Sequence, residues 1–382
     1  MATVKNLKDL MVQFSDEQKC RDFLVQQRWN GCPECPYCKS NKWYSIENGK
    51  RFKCGNKECH KKYSVTVGTI FHSSNIPLST WFPAVYLVSN NKKGISSCQL
   101  AKHLGVCQKT SWFMINRIRE SLKDKKGNIL MNTVEVDELY YSTKSRKEER
   151  KSGVKENRSP FANKSMIVGL LERGGELKLK VAGKDTDKMK ISPIIFDNVD
   201  RSANLMTDGE GTYVSIGKHF ASHESVSHTI KEYVRGNAHT NSIEGAFGLF
   251  RRTIIGTYHK ISPKHLERYC AEFEYRYNTK DIKDGERFEN TLSRIETKLS
   301  WKELTKYNGL TNETIIEPAL PPVSISKQGK KVSVAQILNG KVVATYTSIV
   351  EAGEITGIKK QSISRALRGK RNTTGGYQWK YL

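Results

Sequence analysis

Residues 132–141 read NTVEVDELYY. Val134 and Val136 alternate with polar residues, the period-two pattern of a half-buried β-strand. The strand is expected to end on acid, at Asp137, with Glu138 beside it. Next comes a basic polar stretch, "STKSRKEERKSGVKENRS" (142–159), that reads as a loop. "SMIVGLLERGGELKLKVAG" (165–183) is a hairpin: Gly174-Gly175 supplies the turn, and Leu177, Leu179 and Val181 alternate with lysines. "ANLMTDGEG" (203–211) is another short strand, running directly into Asp208 and a turn. From about Thr240 the pattern turns helical through Asn278.

That helix opens within "AHTNSIEGAFGLFRRTI" (238–254), where Glu244 stands among apolar and basic neighbours. Strand-end acids project into the crevice beyond the sheet. If the two strands are neighbours and the helix packs on them, Asp137, Asp208 and Glu244 converge. Carboxylates that close repel one another unless divalent cations lie between them. Two Mg²⁺ or Mn²⁺ ions held this way clamp the attacking and leaving oxygens of an in-line phosphoryl displacement. Asn241, Glu244 and Arg251 fall on one helical stripe, so Asn241 can assist a metal and Arg251 can grip a phosphate. Two plainer readings stay open: Asn241-x-x-Glu244 fits a helix-capping box, and Asp208 before Gly209 fits a turn aspartate. The joint arrangement of the acids tells against both.

Upstream, "CPECPYCKSNKWYSIENGKRFKCGNKECHKKYS" (32–64) holds Cys35-x-x-Cys38 and Cys54-x4-Cys59. Two cysteine pairs on tight turns bring four thiolates to one structural Zn²⁺, with no open coordination position. Cys32 and His60 remain alternative ligands at this level. A helical pattern covers Leu78 to Leu122, and "GISSCQLAKHLGVCQKTSWFMINRIRE" (94–120) is a helix-turn-helix with Gly105 at the turn. Trp112, Ile115 and Ile118 are expected inward, leaving Lys109, Ser111, Asn116, Arg117 and Arg119 to meet DNA phosphates or base edges.

The 382 residues carry 64 Lys+Arg against 39 Asp+Glu, a formal net charge of +25. So large an excess calls for a polyanionic partner rather than mere solubility. No run of eighteen apolar residues offers a membrane span, and the N-terminus lacks a signal-peptide apolar core, so an intracellular protein of the cytoplasm or nucleoid (the nucleus in a eukaryotic or viral host) is expected. The nine cysteines then point to metal or free thiols rather than disulfides.

Together with "VGTIFHSSNIPLSTWFPAVYLV" (67–88), "KKGISSCQLAKHLGV" (92–106), "VEVDELYY" (134–141) and "HTNSIEGAFGLFRRTIIGTYHKISPKHLERYCAEFEYRYN" (239–278), these features resemble the DDE transposases of insertion sequences, in particular the ISXO2-like (IS1595) group. The resemblance covers roughly residues 24–280. It implies an α+β multidomain chain with a ribonuclease-H-like mixed sheet and flanking helices, its first strand carrying Asp137 and its fourth leading to Asp208. It implies metal-dependent cutting at element ends and transfer of a 3′-hydroxyl to double-stranded target DNA, with Asp137, Asp208 and Glu244 as the triad and Arg251 where the group often has lysine. Some members use asparagine as third residue, which keeps Asn241 in play. Joining two ends implies at least a homodimer. A DNA-binding regulator without catalysis and a nuclease that cuts without joining are the competing functions.

The tail, "VVATYTSIVEAGEITGIKKQSISRALRGKRNTTGGYQWKY" (342–381), resembles the small NUMOD-type DNA-binding module of homing endonucleases. That implies a second helix-turn-helix with Lys359, Lys360, Arg365, Arg368, Lys370 and Arg371 on phosphates. The expected domains are 1–75 with the zinc ribbon, 76–130 helix-turn-helix, 131–285 catalytic domain, 286–330 linker around "EPALPPVSISKQGKK", and 331–382 C-terminal module.

Overall fold

The computed structural model describes residues 4–124, 127–142, 164–184, 191–209, 211–226, 232, 234–306, 333–338, 341–367 and 373–381. The basic stretch expected as a loop after Ser142, and the Pro-rich stretch at 317–331, lie outside them. Two compact units divide the chain, residues 1–310 and 311–382.

The first unit opens with α1 (Leu7–Gln13) and α2 (Glu17–Trp29), each started by an N-cap side chain, Asn6 and Asp16, that accepts an amide of the first turn. A three-stranded ribbon follows: β1 (Trp43–Ile46), β2 (Arg51–Cys54) and β3 (Lys62–Tyr63), all antiparallel. Three helices come next: α3 (Leu78–Asn90), α4 (Ser97–Leu104) and α5 (Gln108–Leu122). Ser96 caps α4, and Gly105, at φ 64°, makes the left-handed turn between α4 and α5 that a side chain would resist. Phe14, Phe23, Trp81, Phe82, Leu100, Ile115 and Ile118 join these helices in one buried core.

The five-stranded sheet of the first unit comprises β4 (Thr133–Ser142), β5 (Lys164–Glu172), β6 (Leu177–Lys184), β7 (Asn204–Asp208) and β8 (Ser222–Val226), in the order β6-β5-β4-β7-β8. The β4–β5 and β5–β6 pairs are antiparallel; β4–β7 and β7–β8 are parallel. This is the mixed ribonuclease-H-like sheet, with the first strand in the centre and the fourth beside it. Two crossover helices, α6 (Ile191–Asn198) and α7 (Gly211–Gly217), cover one face: Ile191, Ile195, Tyr213 and Ile216 pack on Val134, Val136, Val168 and Leu170. The other face, with Leu139, Ile167, Leu171 and Leu179, is covered by α8 (Asn241–Thr253) and α9 (Leu266–Asn278) through Ile243, Phe247, Phe250 and Phe273. Burial on both faces explains why β5 reads as a continuous apolar run rather than an alternation.

Of the segment expected as linker, 286–330, the described part, 286–306, is helical over much of its length. Helix α10 (Asp284–Ser293) inserts Phe288 and Leu292 into the N-terminal helical core, and α11 (Trp301–Thr305) is closed by a Ser300–Glu303 capping box. Within the second unit, β9 (Val334–Leu338), β10 (Lys341–Tyr346) and β11 (Gln378–Tyr381) form an antiparallel sheet in the order β10-β9-β11. Its core of Val334, Tyr346, Ala352, Ile363 and Trp379 holds α12 (Ile349–Thr356) and α13 (Lys360–Leu367), separated by a left-handed Gly357. No helix among the described residues is long and apolar enough to cross a membrane.

Candidate active site

The acids are brought together by strand register. The parallel ladder pairs Val134 with Leu205 and Glu135 with Met206, then stops. Asp137 and Asp208 each lie two residues further on and so stand level, just past the last paired rung, where two strand ends open a crevice. Asp208 closes β7. Asp137 does not close β4, as expected from sequence, but sits mid-strand, because pairing with β5 continues to Ser142. One oxygen each from Asp137, Glu138 and Asp208 lies within 4.8 Å of the others.

Strand alternation sends neighbouring side chains to opposite faces, so Glu138 reads from sequence only as the residue beside Asp137. Two contacts place it. The Asp137 carboxylate accepts the Glu138 amide at 2.7 Å, and the buried Tyr213 hydroxyl donates to Glu138 Oε1 at 2.5 Å. Desolvation, then the charges of Glu138, Asp208 and Asp137, push the Tyr213 phenol well above its usual value, so it remains a donor to the acids. Three hard oxygen donors at this spacing suit a small divalent cation: ligands around Mg²⁺ at ~2.1 Å stand ~3–4 Å apart.

Glu244 is not in this close group. It lies in the first turn of α8, where its carboxylate accepts the Thr240 hydroxyl at 2.9 Å. Thr240, not Asn241, is the N-cap residue, so the capping box suggested by sequence does not form there. Asn241, Glu244 and Arg251 are all exposed. Helix α8 nevertheless runs hard against the strands that carry the acids. Gly169 on β5 is the register partner of Asp137, and a Cβ there would lie 2.5 Å from Phe247 and 2.7 Å from Ile243 of α8. Nothing in the sequence singles Gly169 out, since one glycine in an apolar strand carries no sign of what approaches it.

At the ribbon, the Sγ atoms of Cys35, Cys38, Cys54 and Cys59 all lie within 4.8 Å of one another, with Cys35–Cys59 at 3.8 Å and Cys38–Cys54 at 3.5 Å. Thiolates ~2.3 Å from a tetrahedral Zn²⁺ stand ~3.8 Å apart, so the set fits a structural zinc. The Ser40 amide draws the Cys38 thiol down to about 7, whereas burial pushes Cys54 up to about 12. Four thiolates packed so closely would repel one another unless a cation lay among them. Cys32 and His60 lie outside the cluster.

The basic residues expected on DNA divide. Lys109 is exposed at the start of α5, over the Trp301 ring at 4.9 Å. Ser111, Asn116, Arg117 and Arg119 are buried, which corrects their outward assignment. Asn116 donates to the Trp112 carbonyl. Arg117 donates to the carbonyls of Ile70, His72 and Leu299 at 2.8–3.0 Å. Arg119 pairs with the fully buried Glu272 of α9 at 2.6 Å and stacks on Tyr269. The far half of α5 is thus a strut between the helical core and α9, and its cations serve internal partners. In the second unit, Lys359, Lys360 and Arg365 are exposed. Arg368, Lys370 and Arg371 lie outside the described residues.

Residues 129–278 match the ISXO2-like transposase domain, and residues 15–62 match the transposase zinc-ribbon domain. An uncharacterized protein in transposable element ISH50 of Halobacterium salinarum is 27% identical over 274 residues, 69% of this chain and 91% of that one. An uncharacterized HNH endonuclease of Acanthamoeba polyphaga mimivirus is 50% identical over 52 residues, 13% of this chain and 16% of its own. A solved simian T-cell lymphotropic virus intasome, in complex with a PP2A regulatory subunit, aligns over 66% of this chain and 83% of that chain at 10% identity. Its TM-score is 0.22, too low to bear on the fold.

Proposed function

Because this chain belongs to the ISXO2-like transposase family, we propose that it cuts the ends of an insertion element and transfers the freed 3′-hydroxyls to target DNA. The observation that carries this reading is the group Asp137, Glu138 and Asp208, three carboxylates gathered past the β4–β7 ladder of a chain with a charge of +25. These residues would hold Mg²⁺ or Mn²⁺, two ions per site; bound there, the metal would supply charge stabilisation of the phosphoryl group and a more acidic attacking hydroxyl. Tyr213 fixes the rotamer of Glu138. Asn241 or Glu244, from the first turn of α8, completes the site on DNA binding, and Arg251, two turns on, takes a phosphate of the element end.

The ribbon and Lys109 contact the element end. Lys359, Lys360 and Arg365 give the second unit a phosphate-binding surface. We take the 52 residues shared with the viral endonuclease to be this C-terminal module, whose size they match, serving both proteins as a DNA-targeting unit. Two copies act together on two ends inside the cell.

Labelled element ends with Mg²⁺ or Mn²⁺ test the reading, wild type against Asp208→Asn. Nicked and joined products from wild type alone are the expected result. Nicking without joining in wild type indicates a plain nuclease. Equal products from both proteins, or DNA binding with no cleavage by either, removes the transposase reading.

A further inference from the structure

Among the described residues Glu135 is the most completely buried carboxylate of the sheet: it lies on the central strand with no exposed surface, two residues before Asp137 and on the same face. A charge taken that far from water is strongly disfavoured unless donors surround it. Here they do. The amides of Ser242 and Ile243, in the first turn of α8, donate to Glu135 Oε2 at 2.8 and 3.0 Å. Arg173, at the end of the β5–β6 hairpin, donates Nε to Oε1 at 2.7 Å, and His239 Nδ1 lies 3.3 Å from the same oxygen. Arg173 also donates its two terminal nitrogens to the carbonyls of Asn237 and His239, each at 2.9 Å.

The consequence is geometric. Thr240, the N-cap of α8, makes no capping bond of its own to the helix amides. A carboxylate from the strand that bears Asp137 does that work instead, favoured by the positive end of the helix dipole. Arg173 then ties the preceding segment to the same carboxylate. We infer that Glu135 and Arg173 form a clamp that sets the distance between Asp137 and the first turn of α8, with Asn241 and Glu244. They are positioning residues for the active site. The inference deepens the transposase reading and rests on it for its catalytic consequence, though not for the clamp.

Two readouts on the full-length, zinc-loaded protein keep the two apart. The first is hydrogen exchange at the Ser242 and Ile243 amides without DNA. Glu135→Ala is expected to release both, with 237–245 losing protection while β5 and β6 keep theirs. Glu135→Gln retains an acceptor and is expected to preserve most protection. Arg173→Ala, which leaves Glu135 its amide donors, is expected to loosen 237–240 alone and keeps the test usable if Glu135→Ala folds poorly. The second readout is joining of pre-cut ends per folded molecule across a Mn²⁺ titration. Misplacing a catalytic element by ~1 Å costs about 100-fold, so Glu135→Ala is expected to lose about that factor and Glu135→Gln to recover most of it. Unchanged exchange at the two amides in Glu135→Ala overturns the clamp. Released exchange with wild-type joining overturns the positioning role of Glu135. A wild type that neither cuts nor joins overturns the transposase reading instead, and the exchange pattern still decides the clamp.

Discussion

The zinc ribbon and the acidic crevice both gather like-charged ligands, but they do so by opposite means. The four cysteines span 35 to 59 and meet because two tight turns, each bearing a pair, face each other across a short ribbon. The acids span 137 to 208 and meet because two parallel strands are aligned in register. A local device depends on its metal, since the ribbon core beyond the ligands is only Phe52 and Tyr63 with a few flanking contacts. A register device depends on the sheet, which stands without metal because both faces are buried. The ribbon ligands are therefore structural, whereas the acids are held in place by a fold that does not need the cation proposed for them.

Metal removal should separate the two most sharply. Structural zinc sites contribute on the order of 10 kcal/mol to the folding of their modules. Chelation, or Cys54→Ser, is expected to abolish hydrogen-exchange protection across 35–63 and leave 133–142 protected. Joint loss in both regions would show that the ribbon supports the sheet and would end the contrast. One zinc per chain by elemental analysis is the companion result.

Asp208→Asn should do the reverse. Joining is expected to fall by at least ~10³-fold, since metal charge stabilisation supplies several kcal/mol. Stability in EDTA should rise slightly, by up to about 1 kcal/mol, as one of three mutually repelling charges disappears. A matched loss of stability and activity would mean Asp208 is a structural turn residue. Gly169→Ala probes the register device from the helix side. The new methyl must displace Phe247 or Ile243 of α8, at about 1–3 kcal/mol, and joining should fall with the displaced helix. A thermal melt at the wild-type midpoint would mean the helix is not held as closely as described.

The smallest effect concerns Glu274 of α9, which accepts the Leu179 amide at 2.9 Å. Burial pushes its carboxyl up to about 7. The folded state thus binds the proton more tightly than the unfolded chain, so its contribution is fully present below the ordinary glutamate range and is lost as pH rises toward 7. Glu274→Gln is expected to flatten stability over that window, measured by denaturant unfolding. An unchanged pH slope would assign the dependence elsewhere.

What the sequence reveals follows the same division. Cysteine spacing marks the ribbon ligands directly, strand alternation marks Val134 and Val136, and Asp137 and Asp208 stand out as acids expected at strand ends, although Asp137 proves to lie mid-strand. Glu138 stays hidden because its role arises only where the parallel ladder stops. Glu135 and Arg173 stay hidden because their partners lie 38 and about a hundred residues apart along the chain. Arg117 and Arg119 mislead because a basic helix face looks the same whether it meets DNA or, as for Arg119, an acid 153 residues away. The helices after 284 show the converse: Phe288, Leu292 and Ile295 carry helical spacing, but the proline-rich stretch beyond them dominates the reading of the region as linker.

The central claim is that Asp137, Glu138 and Asp208 hold divalent metal. Electron paramagnetic resonance of Mn²⁺ added to the zinc-loaded protein with a bound element end tests it most directly. Stoichiometric uptake by wild type, and loss of that uptake in Asp137→Asn and in Asp208→Asn, is the expected result. Equal Mn²⁺ uptake by all three proteins contradicts it.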